Sequence, residues 1–118
     1  DEVAPLRHDF LERAFKALAG LIETKGPPVG GLDKYFSERG LDFASSGGIF
    51  ASLTVEDPKG DVLYKYTRQW HLKAGDNTTP QSAVRVYFQT LTVQGLYYVV
   101  ILYAGSHPSS DVGHIIRL

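Results

Sequence analysis

The sequence predicts an α+β fold, because two hydrophobic patterns follow one another along the chain. Apolar residues recur at intervals of three and four over residues 6–24, which indicates an amphipathic helix. From Gly48 onward apolar and polar residues alternate, which indicates strands. Helices that precede the strands are typical of α+β folds. We therefore expect a long N-terminal helix and a short second helix packed on a curved antiparallel sheet of about five strands.

The first predicted helix, residues 6–24, has a single apolar stripe. Pro5 fits its first turn, and the following "KGPPVGG" ends it, with Gly26 suited to a left-handed cap. The segment "LDKYFSER", residues 32–39, predicts a short second helix that closes at Gly40. The stripe consists of Leu6, Phe10, Leu11, Ala14, Leu18, Leu21 and Ile22.

The remainder of the chain predicts strands joined by turns. "DPKGD" has the composition of a tight turn, since Pro58 presets φ and Gly60 accepts a positive φ. "VQG" is a second tight connection, and "AGDNTTPQS" is a polar loop. The predicted strands are residues 49–56, 62–73, 83–93, 96–104 and 112–118.

Strand 96–104, "LYYVVILYA", departs from simple alternation because both of its faces are apolar or aromatic. Leaving either face in water would create an adhesive surface patch. We therefore predict a central strand with both faces buried. The N-terminal helix covers one face, and the second helix with its loops, a ligand or a second subunit covers the other.

Composition bounds the function classes. A length of 118 residues predicts a single domain over 1–118, and the absence of methionine, even at position 1, suggests a piece excised from a longer chain. A net charge of −1 argues against nucleic-acid binding. The chain has no cysteine, which is compatible with the cytosol and with the bacterial periplasm.

The polar residues do not form a pattern that predicts catalysis, a metal or a cofactor. The four histidines, His8, His71, His107 and His114, lack the i,i+2 or i,i+4 spacing of zinc ligands. The serines of "SSGG" and "PSSD" lie in turn sequences, and the glycine-rich stretches lack phosphate-binding motifs. We expect a non-enzymatic protein without a metal or cofactor.

One polar and aromatic set predicts a ligand pocket. "YTRQWH" and "RVYF" lie on neighbouring predicted strands, where guanidinium groups beside aromatic walls would suit a small carboxylate or phosphate. The alternative is cross-strand stacking of arginine on aromatic rings, without a ligand. The candidate ligand-binding residues are Arg68, Trp70, His71, Arg85, Tyr87 and Tyr98.

A second set predicts contact with a partner subunit. Phe15 and Ala19 lie off the main helical stripe and are available for a second apolar contact. Tyr97 and Tyr103 lie on one face of strand 96–104. These four residues are the candidate interface of a homodimer.

The order of elements resembles the extracytoplasmic PAS-like sensor domains, also called PDC or single Cache domains, of bacterial receptors such as sensor histidine kinases. The helix "LRHDFLERAFKALAGLIE", the hairpin "FASLTVEDPKGDVLYKY" and the pair "SAVRVYFQTLTVQGLYYVVILYAG" carry this resemblance.

The resemblance implies a membrane-anchored parent protein, a location at the periplasmic or extracellular face of a bacterial membrane, and signalling by a population shift of the first helix. A cystatin-like binding module, or a small enzyme on a cone-shaped helix-plus-sheet fold, is the alternative. A small cytosolic scaffold of the roadblock or longin type is a further alternative. That type needs a helix between the second and third strands, and the loop "KAGDNTTPQS" is too short and too polar to form one.

Overall fold

A computed structural model describes residues 3–73, 84–106, 108 and 110–118, with side chains from Asp9 onward. The predicted loop "AGDNTTPQS" and His107 lie outside the described residues. Helix α1 spans Val3–Glu23 and helix α2 spans Gly31–Ser37. The α+β class is confirmed, with the long helix first in the chain.

The two helices end differently from one another. Lys25, with φ of 58°, takes the left-handed position after α1, so the prediction of Gly26 as the cap is wrong. The Thr24 hydroxyl lies 2.7 Å from the Leu21 carbonyl oxygen and 2.6 Å from that of Gly26, and it holds this turn in place. After α2, Gly40 has the predicted left-handed conformation, with φ of 74°.

Seven strands lie within the described residues, and they form two sheets rather than the single five-stranded sheet that the sequence predicts. The four-stranded sheet has the order β1-β4-β5-β6 and is antiparallel, and the three-stranded sheet has the order β3-β2-β7 with β2 and β7 parallel. The strands are β1 Asp42–Ala44, β2 Ala51–Glu56, β3 Val62–Arg68, β4 His71–Lys73, β5 Val84–Val93, β6 Leu96–Ser106 and β7 Val112–Arg117.

The second sheet arises because the predicted strand 62–73 breaks at Gln69–Trp70. Its first part is β3, which pairs with β2, and its second part is β4, which pairs with β5. At the break, the Phe88 amide donates to the Trp70 carbonyl at 3.4 Å. One continuous run of sequence therefore serves both sheets.

Turn chemistry fixes the two hairpins. In the β2–β3 turn, the Asp57 carboxylate accepts hydrogen bonds from the amides of Lys59 and Asp61, both at 2.9 Å, and Gly60 has φ of 91°. In the β5–β6 turn, Gln94 and Gly95 have φ of 54° and 79°, the two positive values of a type I′ turn. Both turns lie where the sequence predicts them.

Two hydrophobic cores lie on opposite faces of the four-stranded sheet. The helix-side core contains α1 and α2 residues together with Val84, Val86 and Phe88 of β5. The sheet-side core contains Ala51, Leu53 and Val55 of β2 together with Tyr87, Leu91 and Val93 of β5. Strand β5 therefore contributes to both cores.

Strand β6 also has cover on both faces, although it is not central. Tyr97 and Val99 pack against the helix-side core, while Tyr98, Val100 and the buried Leu102 pack in the sheet-side core. The cover on the second face is the three-stranded sheet. The prediction of a central position is wrong, because β6 is an edge strand and β5 takes the interior place.

Candidate functional site

The six predicted ligand contacts do not converge on a single pocket. Trp70 packs on the helix side, with ring centroids 5.8 Å from Phe43 and 5.9 Å from Phe88. His71, one residue later, pairs with Tyr87 across β4 and β5, and Tyr87 belongs to the sheet-side core. Adjacent residues of a strand point to opposite faces, so Trp70 and His71 are on different sides of the sheet.

Arg68 and Trp70 do come together, in the form of a cation–π contact. The Arg68 guanidinium carbon lies 4.3 Å from the Trp70 ring centroid and 4.8 Å from that of Tyr66. Its Nε is buried and has no hydrogen-bond partner among the described residues. This arrangement is the arginine-on-aromatic stacking that the sequence left as the alternative to a pocket.

His71 and Tyr87 form a buried stack, with ring centroids 4.9 Å apart and planes inclined at 30°. The Tyr87 hydroxyl accepts a hydrogen bond from the Ile49 amide at 3.1 Å, and His71 Nδ1 lies 2.8 Å from the Gln69 carbonyl oxygen. A Cβ at Gly48 would collide with the Tyr87 hydroxyl, so the "SSGG" loop closes over this stack only with glycine there. These contacts hold the loop on the sheet.

Arg85 and Tyr98 lie apart from the Arg68–Trp70 contact. Arg85 faces Lys73 across β4–β5 and Gly105 across β5–β6, and its Nη1 is buried without a partner among the described residues. Tyr98 packs on the sheet-side core. The role of all six residues as ligand contacts stays a prediction.

The four predicted interface residues divide into two pairs. Phe15 and Ala19 are exposed on α1. Tyr97 packs on the helix-side core with its hydroxyl buried, and the Tyr103 hydroxyl donates to the Ser106 carbonyl at 2.6 Å. The helical pair is exposed, whereas Tyr97 and Tyr103 are half-buried. The bulge at Leu102 places the two tyrosines on opposite faces of β6, so the prediction that they share one face is wrong.

Gln89 links the two sheets, and its role is absent from the sequence-based prediction. It is fully buried, its amide nitrogen donates to the carbonyls of Ala51 and Tyr66, each at 3.1 Å, and its Oε1 accepts from the Tyr64 hydroxyl at 2.6 Å. Burial raises the pKa of Tyr64 above 10.0, and the Arg68 guanidinium beside it opposes this shift. The alternation of β5 indicates that Gln89 shares a face with Tyr87, but nothing in the sequence names its partners.

The open edge of β6 carries no charged side chain. Of the four edge strands in the described part of the chain, β1 carries Asp42, β3 carries Lys65 and Arg68, and β7 carries Arg117. Charged residues on edge strands normally prevent sheets from joining. At the Leu102 bulge of β6, His114 Nε2–H donates to the Leu102 carbonyl at 2.7 Å, so β7 contacts the edge at this point. The part of the edge that precedes this contact is Leu96–Ile101.

A basic cleft lies between α1 and α2. It has a volume of about 310 Å³ and is lined by Arg13, Lys16, Ala17 and Arg39. The Tyr35 hydroxyl donates to the Ala17 carbonyl at 2.5 Å and joins the two helices beside it. Burial raises the pKa of Tyr35 above 10.0, although the Arg39 guanidinium lowers it. Arg13 and Lys16 are three apart on one helix face, but the sequence does not show that Arg39 joins them.

Within the described residues, no three histidine or acidic side chains group closely enough to hold a metal ion. No helix in the same part of the chain combines the length and apolar character of a membrane span. Comparisons with protein-family models, curated proteins and solved structures find no match to this chain.

Proposed function

We propose that this chain is a non-enzymatic sensing domain that works as a homodimer. The carrying observation is the charge-free open edge Leu96–Ile101 of β6, beside an exposed apolar flank of α1. That flank consists of Phe15, Ala19 and Ile22, and we call the edge and the flank together the β6 seam.

The position of the flank follows from the packing of the two helices. Helix α1 packs on β6 and β5, whereas α2 packs on β1 at the far side of the sheet. Arg13 and Ala17 are on the side of α1 that faces α2, since they bond to the Gly40 carbonyl and the Tyr35 hydroxyl. Phe15 and Ile22 are on the opposite side at helical spacing, so they extend toward the open edge of β6.

A second copy of the chain fits this seam. Two β6 edges can pair antiparallel about a twofold axis and join the two four-stranded sheets, because neither edge brings a charge into the contact. The exposed side chains of Leu96 and Ile101, 60% and 43% accessible, then gain cover together with the helical flanks. The same alignment brings the two α1 helices near the axis.

A sensing role gives this dimer a function. The resemblance to extracytoplasmic PAS-like domains supports it, since there the first helix transmits a conformational signal toward the membrane. In this chain α1 contributes its exposed flank to the β6 seam and packs on the sheet with its buried face, so a shift of α1 alters both contacts.

The second candidate is a helix-on-sheet binding module. The same open edge favours it, because an extended peptide of a different protein can add to a sheet edge through main-chain hydrogen bonds.

Sedimentation equilibrium of the wild-type chain and three variants tests the proposal. Ile101→Lys and Phe15→Glu bring like charges together across the axis, and we expect them to raise the dimer dissociation constant by about 100-fold or more. Ile115→Lys is the matched control, because Ile115 is 72% exposed on β7, a strand of the three-stranded sheet that is not part of the seam. A wild-type chain that stays monomeric at millimolar concentration would refute the homodimer proposal. The open edge would then favour the second candidate, the peptide-binding module.

A further inference from the structure

The basic cleft between α1 and α2 has arginines that are held in place by the fold. Arg13 Nη1 donates to the Gly40 carbonyl at 2.9 Å, across 27 positions of sequence. Arg39 Nη1 donates to the Tyr35 carbonyl at 2.8 Å, and its guanidinium carbon lies 3.6 Å from the Tyr35 ring centroid. Surface arginines are usually mobile, and holding a side chain in one conformation costs conformational entropy. Two guanidinium groups held in one cleft are therefore an unusual feature of this surface.

The positively charged side chains that line the cleft are only partly paired with carboxylates. Arg13 Nε is 3.2 Å from an Asp9 oxygen, and Lys16 Nζ is 3.1 Å from a Glu12 oxygen. Arg39 has no carboxylate within 4.0 Å among the side chains that the structure describes. Among the three cations that line the cleft, Arg39 is therefore the one without a carboxylate in ion-pair contact among the described side chains.

The donor chemistry identifies the class of ligand. A guanidinium carries five N–H donors, so the bonds to backbone carbonyls leave further donors on Arg13 and Arg39. Parallel N–H pairs match the two oxygens of a carboxylate or a phosphate. The volume of about 310 Å³ lies at the lower end of the range for small-molecule sites, and Ala17 gives the cleft an apolar wall.

We propose that the cleft between α1 and α2 binds the oxyanion group, carboxylate or phosphate, of a small organic ligand, with Arg39 and Arg13 as its principal donors. Because both arginines are fixed before the ligand arrives, little side-chain freedom is lost on binding. Lys16, three-quarters exposed at the rim, adds attraction without direction. The site is independent of the β6 seam, since it lies on the other flank of α1.

The test is a titration of the full chain with succinate and, separately, with inorganic phosphate, followed by amide NMR shifts of Arg39 and Gly40. Sodium chloride at matched ionic strength is the reference for screening. We expect saturable shifts with a dissociation constant on the order of 1 mM or below for at least one probe. Succinate binding alone assigns a carboxylate ligand, phosphate binding alone assigns a phosphate, and binding of both assigns the shared oxyanion.

Variants locate the site. Arg39→Gln removes the positive charge and the pair of parallel N–H donors of the guanidinium, and it should weaken ligand binding at least about tenfold. Lys59→Gln makes the same charge change at the distant β2–β3 turn and should leave binding unchanged. Arg39→Lys keeps the positive charge but lacks the paired N–H donors, so we expect a loss of ligand affinity between those of the wild type and Arg39→Gln.

Shifts that do not saturate with either probe, or equal binding by Arg39→Gln and the wild type, would overturn the proposal. Repeating the titration on the Ile101→Lys variant keeps this result separate from the oligomeric state of the chain.

Discussion

The substitution Gln89→Leu tests how the two sheets are held together. Gln89 is fully buried and makes three hydrogen bonds, two to carbonyls of the β2–β3 pair and one from Tyr64. Leucine has a similar volume, so the substitution removes the hydrogen bonds without opening a large cavity. The two carbonyls, of Ala51 and Tyr66, would then lose a donor inside the protein.

The expected loss follows from these contacts. Each hydrogen bond contributes about 1 kcal/mol net, so three contribute about 3 kcal/mol, and the additional apolar burial of leucine offsets about 1 kcal/mol. The net destabilisation is about 2 kcal/mol. For a chain of this length, that corresponds to a fall in Tm of about 8 °C.

Urea unfolding followed by circular dichroism measures this loss. Tyr64→Phe is the companion variant, because it removes a single bond, and it should cost about 1 kcal/mol. The double variant should cost less than the sum of the two, since the Tyr64 bond is already absent once Gln89 is replaced. A Gln89→Leu chain as stable as the wild type would refute the conclusion that this amide links the sheets.

Two further predictions concern the loop over β4 and the buried tyrosines. Gly48→Ala should destabilise the fold by about 1–3 kcal/mol in urea unfolding, because the new methyl group meets the Tyr87 hydroxyl. In the control Gly26→Ala the methyl group meets open space, so the free energy of unfolding should change by no more than about 0.5 kcal/mol. Equal losses in the two variants would contradict the packing argument. Burial raises the pKa of Tyr64 above the value of 10.0, so the folded chain keeps this proton to higher pH than the unfolded chain. The contribution of Tyr64 to the free energy of unfolding should be fully present below pH 10 and should be lost as the pH rises through the raised pKa. A urea midpoint that does not change over this range, or an equal fall in the Tyr64→Phe variant, would contradict this prediction.

Local chemistry made much of the fold predictable. The apolar spacing of residues 6–24, the "DPKGD" turn and the Gly40 cap depend on residues close in sequence, and the structure has each of them. The two apolar faces of strand 96–104 predicted burial on both sides, and this holds in part: β6 packs against both cores, but only Leu102 is buried, and Leu96 and Ile101 are exposed.

The division into two sheets could not be read from the sequence, because it depends on contacts between distant residues. The break at Gln69–Trp70 has no glycine or proline to announce it, and Trp70 turns toward the helices because Phe43 and Phe88 lie there. The parallel pairing of β2 with β7 joins residues about sixty positions apart. Strand alternation alone does not specify such partners.

The candidate sites show the same limit. Alternation along the strand correctly placed Arg68 beside Trp70, and it also turns the following residue, His71, to the opposite face, so the predicted pocket could not contain both Trp70 and His71. The cleft needs Arg13 of α1 and Arg39 of the turn after α2, and the contacts that bring them together, Arg13 with the Gly40 carbonyl and Tyr35 with the Ala17 carbonyl, join residues distant in sequence.

Amide hydrogen exchange of β6 at two protein concentrations tests the β6 seam most directly. The amides of Leu96–Ile101 that point away from β5 have no partner strand among the described residues. The dimer predicts that these amides exchange slowly at high protein concentration and rapidly on dilution, while β5 amides stay protected at both. Rapid exchange of the outward amides at every concentration would contradict the paired edge.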